Sequence, residues 1–155
     1  MSTLKDAILH NLIEIAMKEA KKAFAKGEVP VAALVLKENK IISKAHNITH
    51  IKNDPTLHAE ILAIRTALKK LQIPRLQGYQ MLTTLEPCAM CAGAIVLARI
   101  DTLYILAKDE KAGACGSVIS IIPHAKLNHR PLVKWCENSS EYTSLLKQFF
   151  KKLRK

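Results

Sequence analysis

The sequence predicts a single α/β domain, built on a mixed β-sheet with helices on both faces. Three observations carry this prediction. Apolar residues recur at helical spacing at several places, short apolar runs between turn residues indicate strands, and one strand–helix–strand succession follows the middle of the chain. At 155 residues, the chain fits one domain over residues 1–155, with no segment of linker composition.

The first half of the chain is predicted to contain two helices and a hairpin. Residues 3–26 carry leucine and isoleucine at steps of three or four, which indicates an amphipathic helix that Gly27 ends. Residues 31–36 and 41–45 are apolar runs separated by a polar turn, which predicts an antiparallel hairpin. After a polar loop, residues 57–72 return to helical spacing and form the second helix.

The second half begins with a strand over residues 79–85, a helix over residues 88–99 and a strand over residues 102–107. This succession indicates two parallel strands joined by a right-handed crossover. An irregular segment with two glycines follows. A short strand near Val133 and a helix over residues 141–154 complete the predicted fold.

Composition narrows the class of protein. Lys and Arg outnumber Asp and Glu by 24 to 13, giving a formal net charge of +11, which favours polyanionic partners. No run approaches the ~18 apolar residues of a membrane span, and the first residues lack a secretory pattern. Four cysteines do not suggest a disulfide framework in a chain of this size, and Cys115 and Cys136 are interpreted as buried thiols. We therefore expect a cytoplasmic protein without a membrane partner.

One group of residues has the types and spacing of a metal site. His58-Ala59-Glu60 is followed further along the chain by Pro87-Cys88-Ala89-Met90-Cys91. Zinc binds imidazole nitrogen and thiolate sulfur tetrahedrally, and a catalytic zinc keeps three protein ligands and one water. His58, Cys88 and Cys91 are the predicted ligands. The pattern is similar to the H-x-E…P-C-x-x-C signature of zinc nucleobase deaminases.

Glu60 is the predicted general acid–base group. In a regular helix it would not share a face with His58, so it reaches a metal-bound water only if both residues lie in a buried first turn. There it can take the proton of the water, pass it to a ring nitrogen and protonate the leaving amine. By itself, a glutamate at a helix start is more often a surface residue favoured by the helix dipole.

The cysteine pair alone leaves other interpretations open. A thioredoxin-like redox pair would give no role to His58 or Glu60. A structural zinc site needs a fourth protein ligand. The candidates are Cys115, Cys136 and the remaining histidines, and none of them has the spacing of a second pair of zinc ligands. A non-catalytic RNA-binding module with a structural zinc is the alternative outside enzymes, and it has no use for Glu60.

Further segments accompany the metal motif. They are Glu28-Val29-Pro30-Val31, Asn47, Asp54-Pro55-Thr56, Thr84-Leu85-Glu86, Ala92-Gly93-Ala94, residues 109–117 and Asn128-His129-Arg130. With these segments, the sequence resembles the bacterial tRNA-specific adenosine deaminases over nearly the whole chain, from about residue 6. The metal motif marks only the superfamily, whereas the segments around Asp109 and Asn128 single out the tRNA enzymes.

The resemblance implies a cytidine-deaminase-like three-layer fold with a five-stranded mixed sheet, one Zn²⁺ per subunit and a homodimer. The implied activity is hydrolysis of a cyclic amidine C–N bond, which converts the wobble adenosine of a tRNA anticodon to inosine and releases ammonia. The resemblance also implies that Asn47 hydrogen-bonds the flipped nucleotide, that Asp109 contacts an RNA sugar, and that Phe149, with Phe150, lies near the anticodon stem-loop. For Phe149, packing in the core is the alternative interpretation.

Within enzymes, the alternative is a small-molecule deaminase that acts on cytosine, cytidine or guanine with the same zinc chemistry. The net charge argues against it, because a free-base enzyme has no need of a basic surface. Cations at the end of the chain can hold RNA phosphates; they are Lys147, Lys151, Lys152, Arg154 and Lys155.

Overall fold

The protein is described by a computed structural model over residues 4–137 and 139–154, which form nine regular elements. In chain order they are α1 (Asp6–Ala25), β1 (Ala32–Lys37), β2 (Lys40–His46), α2 (Ala59–Leu71), β3 (Gln80–Leu85), α3 (Ala89–Leu97), β4 (Thr102–Ala107), β5 (Leu132–Trp135) and α4 (Ser140–Leu153). This order confirms the predicted succession. The predicted start of the first helix, residue 3, lies outside the described residues.

The strands form one mixed sheet in the order β2-β1-β3-β4-β5. Strand β1 runs antiparallel to β2 and β3, whereas β3, β4 and β5 are parallel. The predicted hairpin and the predicted parallel pair are therefore confirmed, and β5 continues the parallel half. The carboxyl ends of β3, β4 and β5 meet at one edge of the sheet, which is where open α/β sheets bind ligands.

Strand side chains alternate between two faces and build two apolar cores. On one face, Val35 and Ile105 pack with α2 and α3. On the other face, Leu34 and Tyr104 pack with α1 and α4. Each fully buried aliphatic side chain contributes about 1.5–3 kcal/mol, so burial on both faces stabilises the three-layer arrangement that the sequence predicts.

Residues with a left-handed backbone conformation end α1 and form the turn of the β1–β2 hairpin. Gly27 has a φ of +76°, and the N–H of Glu28 donates to the Ala23 carbonyl oxygen at 2.9 Å, as in a Schellman motif. Glu38 and Asn39 also have positive φ values, 49° and 70°, which suit a two-residue turn between twisted strands. In the part of the chain that is described, no helix has the length and apolar character needed to cross a bilayer.

Candidate metal centre

The predicted ligands lie at the starts of two neighbouring helices. His58 directly precedes α2 and Cys88 directly precedes α3, both with extended backbones (ψ of 153° and 176°). Cys91 follows in the first turn of α3 and is fully buried. Both helices begin slightly later than the sequence predicts, so His58 and Cys88 are cap residues. Their side chains therefore meet where unpaired backbone N–H groups and positive dipole ends also lie.

The three side chains have the spacing of metal ligands. His58 Nδ1 lies 3.6 Å from Cys88 Sγ and 3.5 Å from Cys91 Sγ. Zinc bonds of about 2.3 Å to sulfur and 2.05 Å to nitrogen, meeting at a tetrahedral angle, place the two ligand atoms about 3.6 Å apart. Within the described residues, the group of possible ligands consists of these three members. Cys115 and Cys136, the candidates for a closed structural site, do not join it.

The three groups lie within hydrogen-bond distance of one another. A hydrogen bond with Cys91 lowers the pKa of Cys88 to about 4, and the same contact raises the pKa of Cys91. The hydrogen bond with Cys88 raises the pKa of His58. A bound cation replaces the protons of such hydrogen bonds, because thiolate sulfur and neutral imidazole are the forms that ligate metal. Two thiolates and one imidazole are ligands that suit zinc.

Glu60 lies buried beside this group, in the first turn of α2. Its side chain is 3% exposed, and its Oε1 has no hydrogen-bond partner among the described residues. Burial raises the pKa of Glu60 to about 7, and a hydrogen bond links the carboxyl to Cys91. A buried carboxyl oxygen is rarely left unpaired, since this costs about 1–3 kcal/mol or more. The free oxygen therefore fits a site that receives a water or a substrate.

Asn47 lies next to the same centre. Its Oδ1 accepts a hydrogen bond of 2.8 Å from the backbone N–H of Ala59, which joins the loop after β2 to the start of α2. The side chain is 7% exposed. With Oδ1 occupied, the amide nitrogen is the group that can donate to a ligand. Contact between Asn47 and a substrate stays a prediction.

Asp109 follows β4 at the same edge of the sheet. Its Oδ1 accepts hydrogen bonds from the backbone N–H groups of Lys111 at 3.0 Å and Ala112 at 3.2 Å. Asp109 therefore shapes the tight turn that it begins. Contact between Asp109 and an RNA sugar stays a prediction, with the second carboxyl oxygen as the available atom.

Phe149 lies on the inner side of α4 and is 3% exposed. Its ring packs edge-on against Phe24, with the centroids 5.9 Å apart, and against Phe150, with the centroids 5.4 Å apart. Phe150 is 41% exposed, so it is the ring of the pair that solvent reaches. This burial agrees with the core-packing interpretation, and direct contact between Phe149 and a substrate stays a prediction.

Two buried glutamates, for which no role was predicted from the sequence, hold the loops around the centre. Glu86 is 2% exposed. Its two oxygens accept hydrogen bonds from the backbone N–H groups of Asp109 (3.1 Å), Cys115 (2.9 Å) and Ser117 (3.2 Å). They also accept one from the Ser117 hydroxyl (2.5 Å). Burial opposes ionisation of Glu86, but these hydrogen bonds outweigh it and hold its pKa below the ordinary value. A Cβ at Gly113 would lie 2.5 Å from the Asp109 carbonyl oxygen and collide with Glu86.

Glu28 likewise holds the loop after Asn47 in place by accepting hydrogen bonds from it. It is fully buried and accepts the backbone N–H of Ile51 at 2.8 Å, that of His50 at 3.2 Å and the hydroxyl of Thr49 at 3.2 Å. Both glutamates stand beside apolar residues and a proline in the sequence, at Glu28-Val29-Pro30 and Leu85-Glu86-Pro87. A charged residue in such surroundings is the signal that could have identified them.

Known proteins resemble this chain in sequence. A family model described as MafB19-like deaminase matches residues 9–154. The tRNA-specific adenosine deaminase of Aquifex aeolicus (strain VF5) is 49% identical over 146 residues, covering 92% of this chain and 93% of the relative. The tRNA-specific adenosine deaminase of Bacillus subtilis (strain 168) is 41% identical, covering 90% of this chain and 87% of the relative.

Solved structures resemble it as well. One comes from a study of A-to-I editing by tRNA:A34 deaminases at the wobble position of transfer RNA. It matches with a TM-score of 0.84 and 39% identity, over 88% of this chain and 99% of that chain. A guanine deaminase from Nitrosomonas europaea has a TM-score of 0.70 at 22% identity, covering 88% of this chain and 81% of that one, and supports the fold alone. The chain belongs to the family of tRNA-specific adenosine deaminases.

Proposed function

We propose that this protein hydrolyses adenosine to inosine at the wobble position of a tRNA anticodon and releases ammonia. The observation that carries the proposal is the free Oε1 of the buried Glu60 beside the trio of His58, Cys88 and Cys91. The named activity of relatives up to 49% identical supports adenosine in tRNA as the substrate.

We assign one zinc ion per subunit to His58 Nδ1, Cys88 Sγ and Cys91 Sγ. Their separations of 3.5 and 3.6 Å support this assignment. When bound, a zinc ion with three protein ligands lowers the pKa of a water at its open position towards about 7. Two thiolates would cancel the two positive charges of the ion. The centre would then exert little net attraction on the Glu60 carboxylate, which stays free to act as a base.

Glu60 carries the protons of the reaction. Its Oε1 takes a proton from the attacking water and delivers it to a ring nitrogen, so that the base becomes a better electrophile at the carbon bearing the amine. The carboxylate then takes the second proton of the former water from the new hydroxyl group and gives it to the departing amine, so that the C–N bond breaks, ammonia leaves and the carbonyl of inosine forms. A pKa of about 7 suits a group that must both accept and donate protons near neutral pH.

The surface charge supports an RNA substrate. The chain has a formal net charge of +11, and α4 with its cap presents Lys147, Lys151, Lys152 and Arg154. Lys155, which belongs to the same predicted basic end, lies outside the described residues. An anticodon loop presents its bases unpaired, so placing adenosine in a closed pocket costs less than extruding it from a duplex.

We also propose a cytoplasmic homodimer in which residues 1–155 form one deaminase domain. The single sheet with a core on each face supports one domain. Exposed apolar side chains on α3 and in the loop after β4 supply apolar surface that self-association would bury. They are Met90, Leu97, Val118 and Ile119. Light scattering during gel filtration should give twice the mass of one chain.

Sequencing of treated tRNA tests the proposed activity. Purified protein is incubated with tRNA transcripts that carry adenosine at the wobble position, and inosine is detected as guanosine in the complementary DNA. We expect conversion at that single position. If no tRNA acquires inosine but a free base releases ammonia, the small-molecule alternative replaces the proposal.

A further inference from the structure

An exposed tryptophan stands at the edge of the sheet that holds the candidate metal centre. Trp135 is the only tryptophan of the chain and is 41% exposed at the carboxyl end of β5. Because β5 runs parallel to β4 and β3, this end lies at the same edge as the turn that carries Cys88. The Lys108 ammonium lies 5.7 Å from the Trp135 ring centroid.

A second pair of the same kind lies close by. Phe150 is 41% exposed, and the Lys111 ammonium lies 5.9 Å from its ring centroid. Lys108 and Lys111 belong to the loop after β4, on either side of Asp109. Three peptide units separate their Cα atoms by at most about 11 Å, so the two aromatic–lysine pairs flank one short loop.

Exposed rings beside lysines match the chemistry of single-stranded nucleic acid sites. There, bases stack on the aromatic faces while cations hold the phosphates. Trp135 also lines a groove with a net acidic rim, in which four carboxylates outnumber Lys18 and Lys21 and disfavour a phosphate backbone. Its acidic members are Asp6, Glu14, Glu137 and Glu141. Charge therefore favours the Lys108 side of the ring as the path of RNA.

We propose that Trp135, together with Lys108, stacks an unpaired base that flanks the deaminated adenosine, while Lys111 beside Phe150 holds the neighbouring phosphates. This inference rests on the proposed function and specifies how the anticodon loop is held outside the pocket. Two strand spacings separate β5 from β3, or about 10 Å. The stacked base therefore lies within a few nucleotides of the target.

Fluorescence of the single tryptophan tests the proposal on the unmodified protein. An anticodon stem-loop RNA with a terminal dye is titrated with protein, and anisotropy of the dye reports binding while Trp135 emission is recorded. We expect emission to fall in proportion to the bound fraction, because a stacked base quenches indole. If the RNA binds and is deaminated but emission stays unchanged, the inference fails while the proposed function stands. If the RNA does not bind, the proposed function itself fails.

Variants provide a second test that does not depend on quenching. Trp135→Leu should bind the stem-loop about 5- to 150-fold more weakly, the range of base–aromatic stacking, whereas Trp135→Phe should retain most of the affinity. Lys108→Ala should lower the slope of log affinity against log salt by about 0.7, as expected for one lost phosphate contact. The salt slope of Trp135→Leu should not change.

Lys37→Ala is the matched control. Its ammonium lies 4.4 Å from the Tyr79 ring centroid, so the pair has the same chemistry. It stands at the opposite edge of the sheet, where β1 ends and β3 begins. We expect wild-type affinity and salt slope. Wild-type binding by Trp135→Leu, or an equal loss in Lys37→Ala and Lys108→Ala, would overturn the proposal.

Discussion

The side-chain oxygen of Asn47 accepts a hydrogen bond of 2.8 Å from the backbone N–H of Ala59, the residue between His58 and Glu60. This bond satisfies a donor at the start of α2 that has no partner within the helix. It also fixes the asparagine beside the proposed ligand and the proposed base. One side chain therefore connects the loop after β2 to both halves of the predicted chemistry.

Asn47→Asp separates these two functions. The aspartate keeps an oxygen for the Ala59 N–H, so the fold and the metal content should stay as in the wild type. The amide donor is lost, and a second acceptor faces the bound nucleotide. We expect kcat/KM on tRNA to fall by roughly tenfold or more, the effect of about 1.4 kcal/mol or more from one lost hydrogen bond. Unchanged kcat/KM would remove Asn47 from the substrate site.

Glu60→Gln tests the proposed proton carrier with little change in shape. An amide cannot accept and return a proton, so kcat should fall by at least about 10²-fold. Zinc content and the thermal stability of the zinc-loaded protein should persist, because Glu60 is not one of the three ligands, and Glu60→Ala should give the same result. Turnover near the wild-type rate in either variant would refute the role of Glu60.

The raised pKa of Glu60 predicts a pH dependence of stability in the metal-free protein. Burial raises this pKa from 4.5 to about 7, so the folded state binds the proton more tightly than the unfolded chain. Below about pH 4.5 the carboxyl is protonated in both the folded and the unfolded state, so it does not reduce stability. As the pH rises from about 4.5 to about 7, burial of this carboxyl progressively lowers the free energy of unfolding. The free energies of unfolding of the wild type and Glu60→Gln should thus diverge over this window, with the variant gaining up to about 3 kcal/mol. A difference that does not change with pH would contradict this.

Glu86→Gln tests the support of the loop that carries Asp109. The amide replaces one of two acceptor oxygens, and at least one of the backbone donors from Asp109, Cys115 and Ser117 then loses its partner. We expect a loss of about 1–3 kcal/mol in stability and a higher KM for tRNA, with zinc retained. Glu110→Gln, an exposed residue of the same loop, is the control and should behave as wild type.

Local patterns were sufficient for the regular elements and for the three candidate ligands that the structure brings together. Helical spacing and turn residues identified α1 and the β1–β2 hairpin, and the ligand motif identified His58, Cys88 and Cys91. These features depend on residues that are near in sequence or of rare chemical type. The parallel pairing of β5 with β4 depends on a long connection and leaves no such local mark.

The roles of Glu28 and Glu86 were missed because their partners are backbone N–H groups of distant loops. The pattern of side chains in the sequence does not indicate which backbone N–H groups will donate to a buried carboxylate. The burial of Phe149, by contrast, was open to prediction. Tyr142, Leu145, Leu146 and Phe149 follow helical spacing on α4, so this face packs on the sheet and Phe150 faces outward.

Metal analysis of the purified, active protein tests the central claim most directly. The account predicts one zinc per chain in the wild type and in Glu60→Gln, and loss of both zinc and activity in Cys91→Ala. Active, folded protein without a bound transition metal, or zinc retained at full stoichiometry in Cys91→Ala, would contradict it.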